Sequence, residues 1–216
     1  MKKIIALVMS AVLAVGVFAG CGGKQVAADE YVLAMYKLVI NRDSKAAKDV
    51  GVADKEIKSF EDELKKSVET GINDINESYK KSYNATVDKD LLTKYYDAYL
   101  KALTKLSGTA TVEKSSDTEA TVKLTSTYMD MEALTGKAME AASAKVKAAE
   151  YSEQTDYNIA VLTEYIKELT TQMEQFTPGK ETQSTTIVVK KSKNSWTYSD
   201  STTFAQAITS LAIKNS

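Results

Sequence analysis

The chain has 216 residues, 44% of them hydrophobic, and a formal net charge of −1, which suits one well-buried domain better than two and supplies no field that would draw it onto nucleic acid. Arg42 is the only arginine among 28 basic residues, whereas bidentate recognition of phosphates and guanine edges favours arginine. There is no histidine and a single cysteine, Cys21, so the commonest general base and metal ligand are missing and a zinc site would have to be built from carboxylates. No nucleic-acid partner, metal or cofactor is expected.

Met1-Lys2-Lys3 is a short positive segment, and Ile4 to Phe18 follows without a charge. Small residues, Ala19 and Gly20, close the run. This is the layout of a secretory signal peptide; the apolar run is shorter than the roughly 20 residues that cross a bilayer. Phe18-Ala19-Gly20-Cys21 resembles the lipobox of bacterial lipoprotein precursors, with Phe18 where leucine is usual. The resemblance implies that signal peptidase II recognises these four residues and cuts after Gly20, and that Cys21 carries a diacylglyceryl group through a thioether. The resemblance is to small surface lipoproteins of Gram-positive bacteria, held on the outer face of the cytoplasmic membrane. Residues 1–20 are then the signal peptide, 21–28 a tether that includes Gly22 and Gly23, and 29–216 one domain. Losing Lys2 and Lys3 takes the formal charge from −1 to −3. Lipid rather than charge must therefore do the holding.

Helical spacing of Val32, Met35, Tyr36, Val39 and Ile40 predicts a helix from Asp29 to about Asn41. A looser stretch up to Gly51 follows. Asp54 opens a long helix with Ile57, Phe60, Leu64, Val68, Ile72 and Ile75 on one stripe. Lys80 to Asp90 interrupts the pattern. Asp88 or Asp90 then starts a helix carrying Leu92, Tyr95, Tyr96, Tyr99, Leu103 and Leu106, with Gly108 as its stop. The period changes to two around Ser115–Thr118, which predicts a hairpin. Asp130 caps the next helix (Met131, Leu134, Met139, Ala142, Val146), and another carries Ile159, Leu162, Tyr165, Ile166, Leu169, Met173 and Phe176. A turn at Thr177–Lys180 leads to a second hairpin around Lys193-Asn194 and a short last helix with Phe204, Ile208 and Leu211.

The expected fold is α+β, with amphipathic helices packed on a small antiparallel sheet made of two hairpins. Helices first, then a curved sheet, is a layout similar to that of the nuclear-transport-factor-like domains.

Twelve tyrosines stand against four phenylalanines and one tryptophan. Tyr95, Tyr96 and Tyr99, with rings for stacking and hydroxyls for hydrogen bonds, are candidates to line a ligand pocket; tyrosines at this spacing also seal the edge of a core. Asp74–Ser78 places oxygens at alternate positions, but Tyr79 and Ala85 stand where a calcium loop needs glycine and glutamate, so it is read as a polar helix end. Lys190-Lys191-Ser192-Lys193 is a candidate for contact with anionic lipid or wall polymer, or a solvated tip that protects a strand edge. No catalytic residue is singled out: the carboxylates are interleaved with lysine on solvated faces. The expected function is a non-enzymatic module, membrane-held through Cys21, that binds a small ligand or an envelope protein. The alternatives are an envelope hydrolase using carboxylates and the solute-binding subunit of a transporter.

Overall fold

A computed structural model describes residues 26–147, 151–192, 195–198 and 201–214. The signal-peptide and lipobox residues Phe18, Ala19, Gly20 and Cys21 lie outside them, as do Lys193, Asn194 and Asp200. Helix α1, Ala28–Tyr36, passes without a break into a π-helical turn, Lys37–Asn41, which buries Leu38, Val39 and Ile40 in succession. The stretch read as loose contains a short helix, α2 (Ser44–Asp49), where the Asp43 side chain accepts from the Ala46 amide. Helix α3 runs from Asp54 to Tyr83, and α4 from Lys89 to Leu103. Asp88 caps α4 by accepting from the Leu91 amide, and Asn76 of α3 bonds both the N–H and C=O of Val87, holding the α3–α4 connection.

Strand β1 (Gly108–Ser115) and β2 (Glu119–Thr127) form the first hairpin, and β3 (Met129–Asp130) leads into α5, Met131–Lys147. Helix α6 spans Gln154–Gln175, β4 Thr182–Ser192, β5 Ser195–Tyr198, α7 Ser201–Ala212 and β6 Ile213–Lys214. The antiparallel sheet has the order β1-β2-β4-β5, and β3 pairs in parallel with β6. The expected α+β fold of helices on a two-hairpin sheet is the one observed. Period-two alternation turns Ala120, Val122, Leu124, Ile187 and Val189 into the core and leaves Thr121, Lys123, Thr186 and Val188 on the other face.

Helix α1 lies along the inner face of this sheet. Tyr31 meets the ring of Tyr198 on β5, with 6.0 Å between centroids, and Tyr198 stacks on Phe204 of α7 at 3.9 Å. At the other end of α1, the Tyr36 hydroxyl is 2.5 Å from Ser126 Oγ. Ser126 donates its own hydrogen to the Thr127 carbonyl, so Tyr36 must be the donor to Ser126. Gly108, paired with Ser126 across the sheet, is where sequence periodicity placed a helix stop. Helix α4 ends earlier, and Gly108 instead begins β1 because Tyr36 needs the space: a Cβ there would sit 2.6 Å from Tyr36 Cε1. Gly71 plays a similar part between α3 and α4, where a Cβ would fall 2.5 Å from the Tyr96 hydroxyl.

Gly108→Ala is expected to destabilise the protein by about 1–3 kcal/mol, since a ring rather than a flexible chain end must move. Tyr36→Phe should cost about 1 kcal/mol, the worth of one buried hydrogen bond. Urea unfolding of the two variants measures both.

Candidate functional site

Tyr95, Tyr96 and Tyr99 are at most 4% exposed and pack against one another in the core, with ring centroids 5.6 and 6.3 Å from Tyr95 to its two neighbours. Burial raises the pKa of all three. None lines the groove at the β2–β3 corner or the smaller one between β4 and α7. Tyr79 is buried beside them and Tyr83 is exposed. Asp74–Ser78 lies inside α3, and among the described residues no cluster of three or more histidine, cysteine or acidic side chains is placed to hold a metal ion.

The sole arginine is a buried cation. Arg42 follows the π-helical turn in the left-handed region at φ 60°. Its three guanidinium nitrogens are buried without a hydrogen-bond partner among the described residues, and its guanidinium carbon is 5.5 Å from the centroid of the Phe60 ring. Desolvation lowers its pKa from 12.5 to about 10, a cost of about 3 kcal/mol at neutral pH, while the ring face returns about 1–2 kcal/mol.

The larger of the two grooves, about 520 Å³, opens at one end of the sheet. Its walls are the β2–β3 corner, the first turn of α5, the last turn of α6 and the turn that leads into β4. Phe176, Leu134 and Ala133 give it an apolar side, and Gln172 and Gln175 add amides. The polar rim is a connected set. Tyr128 donates to Glu181 at 2.5 Å, Lys214 approaches Asp130 at 3.4 Å, and the Lys214 ammonium sits 5.5 Å from the Tyr128 ring centroid. Asp130 also caps α5 through the Ala133 amide, as its position before that helix predicts. That amide and then Lys214 lower the Asp130 pKa, and Asp130 raises that of Lys214. Glu181 holds the Tyr128 phenol protonated above its usual range by accepting its hydrogen bond. Donors, acceptors and an aromatic face within one groove match a ligand rich in hydroxyls or amides.

Sequence reasoning missed this groove. Asp130 stood out as a cap and Phe176 as core, but Lys214 reaches them only through the β3–β6 pairing, and Glu181 through the β2–β4 register. The local signal was Gln172, Gln175 and Phe176 at helical spacing before the single proline.

Arg42→Met should raise the unfolding free energy at pH 7 by roughly 1 kcal/mol or more. Glu181→Gln should bring the Tyr128 pKa down towards the ordinary phenol value, because a neutral acceptor no longer favours the protonated form. Tyrosine ring NMR across an alkaline titration reads this shift.

No family model matches the chain, and no curated protein matches it. Its fold is similar to the crystal structure of "a putative lipoprotein (ycdA) from Bacillus subtilis subsp. subtilis str. 168", with a TM-score of 0.54 and 14% sequence identity. The alignment covers 87% of this chain and 56% of that one, so this chain spans little more than half of that protein's length. The two share a fold of helices on a sheet.

Proposed function

We propose that the chain is an exported lipoprotein, held on the outer face of the cytoplasmic membrane by a diacylglyceryl group on Cys21. Its body is a non-enzymatic binding module for a small ligand or an envelope protein. The observation that carries the reading is the placement of the only cysteine. It closes a signal-peptide-like segment and stands five residues before Val26, whose carbonyl accepts a hydrogen bond from Trp196 at 2.8 Å. On this reading the folded body begins close to the attachment point. The fold likeness to a protein described as a lipoprotein supports the same reading. Among the described residues no helix is long and apolar enough to cross a membrane. Two acyl chains on one residue give durable attachment, since each buried methylene contributes about 0.8 kcal/mol. We read the body as nuclear-transport-factor-like because helices cover one face of an antiparallel sheet, a layout that fits a module presenting a groove. The groove lined by Tyr128, Asp130, Phe176 and Glu181 is the proposed binding site, and saccharides or peptides are the ligand classes its chemistry fits.

Cys21→Ala should move the protein from the membrane fraction to the soluble fraction and remove the diacylglyceryl mass. Retention of both would overturn the anchor. For the groove, a saccharide and peptide panel on residues 24–216 should yield a ligand that raises the melting temperature. Phe176→Ala should abolish that rise.

A further inference from the structure

Strand β4 gives the body two ends. At its C-terminal end, Lys191 pairs with Trp196 of β5. The indole N–H of Trp196 holds Val26, the first described residue, and the Lys191 ammonium lies 5.9 Å from the centroid of the indole ring. The β1–β2 turn meets the same end, where the Lys191 amide donates to the Thr118 carbonyl. At its N-terminal end, Thr182 pairs with Thr127, and the residues flanking that pair, Tyr128 and Glu181, form the groove rim. Nine strand steps separate Thr182 from Lys191, about 30 Å at the rise of an antiparallel strand. Helix α1 spans the same two ends in the opposite sense, from Tyr31 beside Tyr198 to Tyr36 beside Ser126.

Five residue-to-residue steps join Cys21 to Val26. Fully extended they reach about 17 Å, well short of the length of β4. The tether cannot let the groove end settle on the bilayer unless the hairpin end comes close as well. We infer that the β4–β5 hairpin end is the membrane-facing surface of the body, seated on the phospholipid headgroups of the bilayer that holds Cys21, with the groove turned away. This rests on the lipid-anchor reading above. Lys190 and Lys191 carry the complementary charge for headgroup phosphates, and the buried Trp196 ring lies behind Lys191. Glu119 opposite Lys190 and Asp117 in the adjoining turn offset part of that charge. Asp29 and Glu30 in the first turn of α1 add further negative charge at this end, so the short tether sets which way up the body sits, the lysines supply local contacts and the lipid supplies the attachment.

Trp196 is the only tryptophan in the chain, so its fluorescence reports this end alone. Full-length lipidated protein is placed in phosphatidylglycerol–phosphatidylcholine vesicles with a dansyl label on the headgroups. Transfer from Trp196 to dansyl should be strong. It should fall about twofold or more when a flexible linker of about 20 residues is inserted after Lys24, and it should also fall in Lys190→Glu with Lys191→Glu. A donor dye on Gln175→Cys, at the groove, should transfer weakly to a matched headgroup acceptor. Transfer from Trp196 that is indifferent to linker length, unchanged by the lysine reversals, or matched in proximity by the groove dye would overturn the inference while leaving the anchor standing. Mass spectrometry of the same preparation separates the two readings: a chain without the diacylglyceryl mass overturns the anchor itself, and the inference with it.

Discussion

The wedge of Tyr36 between α1 and the sheet is the contact on which the arrangement depends. Its ring occupies the space that a side chain at residue 108 would fill, and its hydroxyl ends on Ser126, the residue that faces Gly108. One aromatic side chain thus fixes the separation of helix and sheet, and through the directed hydrogen bond it also fixes their register. The neighbouring chain inherits that setting. The π-helical turn starts at the next residue, and Asn41 at its end bonds the carbonyls of Thr104 and Leu106, just before β1. The first helical segment and the start of the sheet are therefore tied twice within a few residues. An interaction between positions 90 apart in sequence organises the part of the fold where the chain first changes from helix to strand.

The core uses tyrosine where many proteins use leucine or phenylalanine. Tyr31, Tyr36, Tyr79, Tyr95, Tyr96, Tyr99, Tyr165 and Tyr198 are all buried. Each ring removes a large apolar area from water, but each hydroxyl must be bonded or desolvated. Desolvation is the leading cause of the raised pKa values across this group, so all of them stay protonated and uncharged at neutral pH. A core of this kind gains directionality where a partner is present, as at Ser126. Where a hydroxyl is enclosed without a hydrogen-bond partner among the described residues, as in Tyr79 and Tyr96, it gives up some stability.

Local signals carried much of the fold. The stripes of α3, α4 and α6 and the β-branched runs of the two hairpins follow from period and propensity, and Asp88 and Asp130 cap the helices that come after them. The misreadings have two causes, contacts made far away in sequence and patterns too short or too exposed to follow a stripe. Gly108 looks like a helix stop until Tyr36 is seen to need it. Leu64 and Val68 fit the apolar stripe of α3 yet stay partly exposed, and Ile159 is 38% exposed on α6. The short α2 helix depends on Asp43 and lacks enough turns to show a stripe. The groove was the least legible part, because its rim comes from β3, β6 and the turn before β4. No window of sequence contains Tyr128, Glu181 and Lys214 together.

The Val26–Trp196 hydrogen bond has a mechanical side. If the chain is anchored as proposed, a pull at Val26 enters through the backbone of α1 and, by this bond, through a four-residue edge strand that pairs along one side with the end of β4. The aromatic stack of Tyr31, Tyr198 and Phe204 lies directly behind it and shares the load with α1 and α7. On the lipid-anchor proposal, a load entering at this end meets the tyrosine-rich interior before the far end of β4. The groove rim stands at the opposite end of that strand, braced by its own ion pair and by the β3–β6 pairing.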